Sequence, residues 1–366
     1  MEFCNVTTDL WDYLRSCGKP LALYGTGDGA DKIIGALESK GLSPLISAVF
    51  ASDGFVRSRQ FAGFTVESFS QVQSRLGKGR FITLVCFGTS RAEVISNIRA
   101  IAAKCELYAP DVPVCGEGLF DMEYVREHEA RLENVFLRLE DKASKDCFRA
   151  IVNYKLSGDI NYLMSCESNQ DDADLLLGEF ETGSRMIDLG AYNGDTLRRY
   201  MGLFGGIDRA IAVEPERHSF RKLSAYCDEA GSRVRAVNAL ISDYCGTEPI
   251  AESHGRGSRS KAIKGSGSGI CHSAETMTDV TTIDTLADGA RVDFIKFDVE
   301  GSESAAINGG VQTITADRPR MLIACYHKNE DLFMLPEQIL GLRDDYKLYM
   351  RHHPYIPGWD TNYYFV

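Results

Sequence analysis

Between Arg185 and Tyr200 the chain reads RMIDLGAYNGDTLRRY: an apolar run ending in Asp188, a turn of small residues, and a helical pattern opening near Asp195 and Thr196. Small residues at such a turn let the backbone approach a ligand lying across the strand ends, where open α/β sheets bind their ligands. A tight connection needs the same residues, so the turn alone decides nothing. Glu214 closes the next apolar run, IAVEP, twenty positions after Gly194. At that spacing a carboxylate can accept both hydroxyls of an adenosine ribose. Tyr192 stands where G-x-G-x-x-G has its second glycine, the one that admits a pyrophosphate, which weakens a dinucleotide reading. Asp188 and Asp195 put negative charge beside the ligand, and that suits the ammonium and sulfonium of S-adenosylmethionine better than phosphates.

Four further segments follow in order: AVEPE, VNALISD, TTIDTL and VDFIKFDVEGSESAAINGG. With IDLGAYNGDT they resemble the successive motifs of the FkbM-type S-adenosylmethionine-dependent methyltransferases, over roughly residues 185–366. The D-x-E-G element, Asp298-Val299-Glu300-Gly301, is the most specific of them. The resemblance implies a class I methyltransferase fold with S-adenosylmethionine as cofactor. It makes Asp188, Gly190, Ala191 and Gly194 the cofactor turn, with Tyr192, Asn193, Asp195 and Thr196 alongside. Glu214, next to Pro215, becomes the ribose carboxylate, and Asn238 and Ala239 flank the adenine. Asp298 and Glu300 become the acidic pair near the reacting methyl, and Asp298 is also counted with the cofactor residues.

Methyl transfer from a sulfonium is an in-line displacement, so the enzyme must hold a nucleophile on axis, and a sugar-type hydroxyl must also lose its proton. His327, read as the end of the strand RMLIACYH, is the expected base, neutral at an ordinary pKa near 6.5. Asp298 competes for that role, although a carboxylate beside a sulfonium is a weaker proton acceptor. The expected acceptor is a hydroxyl of a saccharide, nucleotide-sugar or related metabolite. Two other readings stay open: an NAD-dependent oxidoreductase using a glycine turn near the start of the chain, disfavoured because no Tyr-x-x-x-Lys accompanies that turn, and a non-catalytic nucleotide-sugar-binding protein with a vestigial methyltransferase half.

A second glycine turn lies near the start, in LALYGTGDGADKI. Together with VFASDG and FAGFTVESF it resembles the small Rossmann-like domain at the front of PglD-type nucleotide-sugar-modifying enzymes. That likeness implies a second ligand at Gly25, Gly27, Gly29 and Asp53; a domain that only packs or dimerises is the other reading.

The elements that must position these residues alternate strand and helix in two series, which predicts two tandem Rossmann-like α/β domains with parallel sheets. The boundaries expected are residues 1–118 for the first, 119–177 for a charged helical connector, and 178–366 for the methyltransferase domain. VNALIS is read within one strand, RVRAVNALIS, and SESAAINGGVQTITAD as one helix. The Gly/Ser/basic stretch 254–272 offers no packed face and is read as a loop.

The chain has 366 residues and a formal charge of −12, a field that repels a phosphate backbone, so nucleic acid is not an expected partner. No apolar run is long enough to span a bilayer and the N-terminus lacks a secretory pattern, so a cytoplasmic protein is expected. Eleven cysteines without a C-x-x-C pair read as free thiols. Seven histidines without H-x-x-x-H spacing give no reason to expect a metal. Homo-oligomerisation stays open.

Overall fold

The computed structural model describes residues 1–52, 60–251 and 275–366. Asp53 and the stretch 254–272 lie outside the described residues. The chain forms two compact units: Met1–Gln170 with Tyr349–Thr361, and Asp171–Leu348 with Asn362–Val366.

The first unit is built on strands β1 (Leu21–Tyr24), β2 (Ile46–Ala51), β3 (Gln60–Phe61), β4 (Phe64–Ser68), β5 (Ile82–Val85) and β6 (Glu106–Tyr108). Their order is β3-β4-β2-β1-β5-β6, parallel throughout except for the β3–β4 hairpin. All four residues of β1 and of β5 are buried, as central strands covered on both faces require. The helix Asp28–Ser39 turns Ala30, Ile33, Ala36 and Leu37 into the same core as Leu21, Leu23 and Leu84. The glycines of this first turn have a packing reason of their own. A Cβ on Gly29 would stand 2.5 Å from the carbonyl oxygen of Cys86, and one on Gly25 would meet the Phe87 ring. Gly27 has open space around it.

The expected connector does not stand apart. Helices Met122–Glu127, Glu129–Arg138, Lys142–Ser157 and Ile160–Ser165 all belong to the first unit, because their apolar faces find their core there. Phe3 packs edge-on to Phe148 with ring centroids 5.9 Å apart, and the Tyr154 hydroxyl donates to the Ala109 carbonyl at 2.9 Å. Near the C-terminus, Tyr349–Thr361 joins this unit through backbone bonds between Thr89 and Ile356 and the Trp359 ring against Gly88. The two adjacent histidines of that segment, His352 and His353, take different partners. His352 Nδ1 meets Thr361 Oγ1 at 2.9 Å, whereas His353 Nδ1 meets the Ser168 carbonyl at 3.1 Å.

The second unit carries β7 (Ser184–Leu189), β8 (Ile207–Val213), β9 (Val234–Val237), β10 (Ala239–Ile241), β11 (Gly246–Ala251), β12 (Glu275–Thr281), β13 (Phe294–Phe297) and β14 (Arg320–Ala324). After β15 (Leu348–His352), the last strand, β16 (Thr361–Phe365), returns antiparallel to β14. The main sheet runs β16-β14-β13-β7-β8-β9, and from β14 to β9 it is parallel. A small sheet, β10-β12-β11, stands apart from it.

Three expectations are corrected here. The single strand RVRAVNALIS is two strands in two sheets, broken at Asn238. The helix SESAAINGGVQTITAD is Glu303–Asn308 and Val311–Asp317, interrupted by the Gly309-Gly310 pair. His327 is not a strand residue, since β14 ends at Ala324.

Gly29→Ala should destabilise the first unit by about 1–3 kcal/mol, because the backbone of Cys86 has to move. Gly35→Ala, in open space within the same helix, should stabilise it by about 0.5–1 kcal/mol. Urea unfolding of the two variants checks the contrast, and equal effects would refute the steric account.

Candidate functional site

Sheet order places β7 between β13 and β8, so the segments leaving the carboxyl ends of these three strands meet. The first is the turn Gly190–Gly194. Its course needs left-handed backbone at Gly190 (φ +80°), Tyr192 (φ +46°) and Gly194 (φ +81°). A Cβ at Gly190 would lie 1.9 Å from the Asp298 carbonyl oxygen, so the two segments touch main chain to main chain. The N–H groups of Gly190 and Ala191 both donate to the Val213 carbonyl, at 3.0 and 2.9 Å. Asn193 Oδ1 accepts the Asp195 N–H at 3.1 Å, and the Asp195 carboxylate accepts the Thr196 N–H at 2.8 Å, which opens the helix Asp195–Leu203.

Glu214 follows β8, buried to 7% exposure. Its Oε2 accepts the Tyr192 N–H at 2.9 Å and its Oε1 the Glu216 N–H at 2.8 Å. Each oxygen keeps a lone pair for a further donor. Burial raises its pKa to about 7, against the lowering effect of those two N–H bonds. Asn238, at the break between β9 and β10, donates through Nδ2 to the carbonyls of Glu214 and Pro215 at 2.8 and 3.0 Å. Asn238 thus fixes the Glu214 backbone, while Ala239 is buried.

Beneath the turn lies a residue that the sequence reading missed. Lys296, on β13, is buried, donates to the Gly190 carbonyl at 3.0 Å, and stands 3.5 Å from Asp188 Oδ1 and 3.6 Å from Asp298 Oδ2. Burial alone would lower its pKa; Asp188, Asp298 and Asp195 together push it up to about 12. Asp188 is fully buried, and burial raises its pKa despite Lys296. Neither of its oxygens has a hydrogen bond, so the lysine compensates it at ion-pair distance only. The signal was in the sequence: one cation inside the apolar run VDFIKF.

Asp298 is open to solvent, its side chain 37% exposed, and its Oδ1 accepts the Tyr326 hydroxyl at 3.1 Å. Glu300 has φ +54°, rare for a residue with a side chain, and its side chain is half exposed.

His327 is brought to this group, but not in the expected state. It is completely buried, with Nε2 3.5 Å from Asp298 Oδ1 and 3.9 Å from Glu300 Oε2, and Nδ1 2.9 Å from Glu303 Oε1. Burial would lower its pKa, but Glu303, Asp298 and Glu300 together push it up to about 9. The buried ring therefore does not face an open crevice as the strand reading expected, and the carboxylates around it favour positive charge there. Helix packing also brings in Glu303 and Asp331, both buried and both invisible to motif reading. Burial raises the Asp331 pKa to about 7, with Glu303 adding to the effect.

A twisted parallel sheet with a carboxylate-lined crevice at its carboxyl edge, and Glu214 pinned beside a left-handed turn, defines a class I methyltransferase domain. Residues 188–351 match the family model described as the methyltransferase FkbM domain, and S-adenosylmethionine is the cofactor. The site fits that group: each Glu214 oxygen keeps a lone pair for a further donor such as a ribose hydroxyl. A solved FkbM methyltransferase from Methylobacillus flagellatus KT is similar over 98% of this chain and 94% of its own, with 19% identity and a TM-score of 0.69. An S-adenosyl-L-homocysteine complex of a methyltransferase from Thiobacillus denitrificans aligns over 43% of this chain and 48% of its own, at 12% identity and a TM-score of 0.26. No curated protein matches the sequence. Nothing in these comparisons bears on a PglD-like role for the first unit.

Because Glu214 titrates near 7, cofactor affinity should rise between pH 6 and 8. The ionised carboxylate is the form that accepts ribose hydroxyls, so binding weakens by up to about tenfold per pH unit below 7. Glu214→Gln should flatten this dependence in calorimetric titrations with S-adenosylmethionine; an unchanged slope would assign it elsewhere. Gly190→Ala adds a side chain at φ +80° against the Asp298 backbone and should lower cofactor affinity by at least tenfold in a protein that still folds.

Proposed function

We propose that this protein moves a methyl group from S-adenosylmethionine to a hydroxyl of a saccharide, a nucleotide-sugar or a related hydroxylated metabolite. The observation that carries the reading is Asp298: a carboxylate 37% exposed at the end of β13, beside the cofactor turn, with Oδ1 already accepting from Tyr326. S-adenosylmethionine supplies an electrophilic methyl on a sulfonium. Asp298 accepts the acceptor's O–H, holds that oxygen for in-line attack, and takes the proton as the new O–C bond forms and the C–S bond breaks. Glu300, half exposed, accepts a neighbouring hydroxyl.

His327 is too deeply buried to touch the acceptor, so its part is to position Asp298 and Glu300, which lie 3.5 and 3.9 Å from Nε2. The acidic surroundings, with Asp188, Asp195 and Glu214 close by, favour hydroxyls over phosphates nearest the methyl. We assign acceptor recognition to the first unit, whose turn leaves Gly27 open while Gly25 and Gly29 are engaged in packing.

Incubation with methyl-labelled S-adenosylmethionine and a panel of sugars, nucleotide-sugars, phenols and amines tests the reading. Label should appear as a base-stable ether on a saccharide hydroxyl, with one equivalent of S-adenosylhomocysteine. Asp298→Asn should lower kcat by about 10²- to 10⁴-fold, the range for loss of a general base, with cofactor Kd nearly unchanged. Label confined to nitrogen acceptors, or an Asp298→Asn variant with full kcat, would sink it.

A further inference from the structure

We propose that Glu303, His327 and Asp331 bind one divalent metal ion of the zinc or manganese type, on the side of the histidine ring away from the reaction crevice. Glu303 opens the helix Glu303–Asn308, Asp331 opens the helix Asp331–Leu342, and His327 lies four residues before Asp331 in the preceding loop. Each offers one ligand atom, and these atoms lie within 4.8 Å of one another. All three residues are enclosed, at 0, 0 and 2% exposure.

Two carboxylates in such a place need compensation, and among the described residues neither forms an ion pair with a lysine or arginine. A buried acidic cluster is not a metal site on that ground alone. The second observation is orphaned donor capacity. Glu303 Oε2 and both ring nitrogens of His327 are buried without a hydrogen bond. Nδ1 stands 2.9 Å from Glu303 Oε1, yet the contact lacks the alignment of an N–H···O bond. Groups that satisfy one another point at each other, whereas metal ligands aim their lone pairs at a common empty point. Short separations with poor mutual alignment are the mark of the second arrangement.

The rest of the cluster is anchored by backbone. The Val299 N–H donates to Glu303 Oε1 at 2.9 Å and the Lys328 N–H to Asp331 Oδ2 at 2.7 Å, which holds both carboxylates in place. One imidazole nitrogen with two carboxylates suits zinc or manganese; calcium and magnesium prefer oxygen alone. An ion on Nδ1 takes the place of a ring proton there and leaves the proton on Nε2, directed toward Asp298 and Glu300. Its role is to fix the ring that orients those two residues, not to touch the acceptor.

The experiment uses the full chain, dialysed against chelator and titrated calorimetrically with Zn²⁺ alone and with Mn²⁺ alone. The wild type should bind one equivalent of at least one of them with a rise in melting temperature. Asp331→Asn and Glu303→Gln should each weaken that binding tenfold or more. A wild type that binds neither ion overturns the proposal, and so do two folded variants that bind like the wild type. X-ray absorption of the zinc-loaded wild type decides the matter if the variants do not fold. A shell of nitrogen and oxygen at about 2.0–2.2 Å supports the site, and sulfur at about 2.3 Å assigns the ion to cysteines and overturns it.

Discussion

Lys296 ties the catalytic half of this molecule together. One buried ammonium meets the Gly190 carbonyl, the Asp188 carboxylate and the Asp298 carboxylate, which come from the turn after β7, from β7 itself and from the end of β13. Without it, two like charges would face each other in a region of low dielectric, and removing one partner of a buried ion pair costs several kcal/mol. The cation therefore sets where the cofactor turn stands against the D-x-E-G segment. The main-chain contact of Gly190 with Asp298 fixes the same relation sterically.

From that anchor the negative charges fall into two groups. Glu214 and Asp188 border the turn and are buried, while Asp298 and Glu300 have side chains open to solvent. His327 lies behind the second pair rather than in front of it. Its raised pKa comes from three carboxylates around an enclosed ring, which makes it a holder of a positive centre and a poor partner for a neutral hydroxyl. The exposed carboxylates thus rest on a layer of buried charge.

The first unit shows how one motif can have two reasons. Its glycine turn follows a central strand in the manner of a nucleotide-binding turn, yet packing against Cys86 and Phe87, and a φ of +118° at Gly25, already call for glycine at Gly29 and Gly25. A glycine pattern read in sequence reports that backbone must come close to something; it does not say whether that something is a ligand or the neighbouring strand.

The sequence by itself determined the alternation of strands and helices, the parallel sheets, the glycine turn with Glu214 closing the next strand, and the order of the D-x-E-G segment. These follow from local periodicity and from short separations along the chain, which a linear reading can measure. Tertiary structure alone decided the rest. The helices between Met122 and Ser165 joined the first unit because their apolar faces met its core, and Tyr349–Thr361 crossed back to that unit from the far end of the chain. Asn238 broke a strand that its sequence made continuous, since its side chain is held by the carbonyls of Glu214 and Pro215. Glu303, His327 and Asp331 became one cluster only through the packing of two helices, and the protonation state of a group so enclosed is set by distances in space that spacing along the chain does not contain.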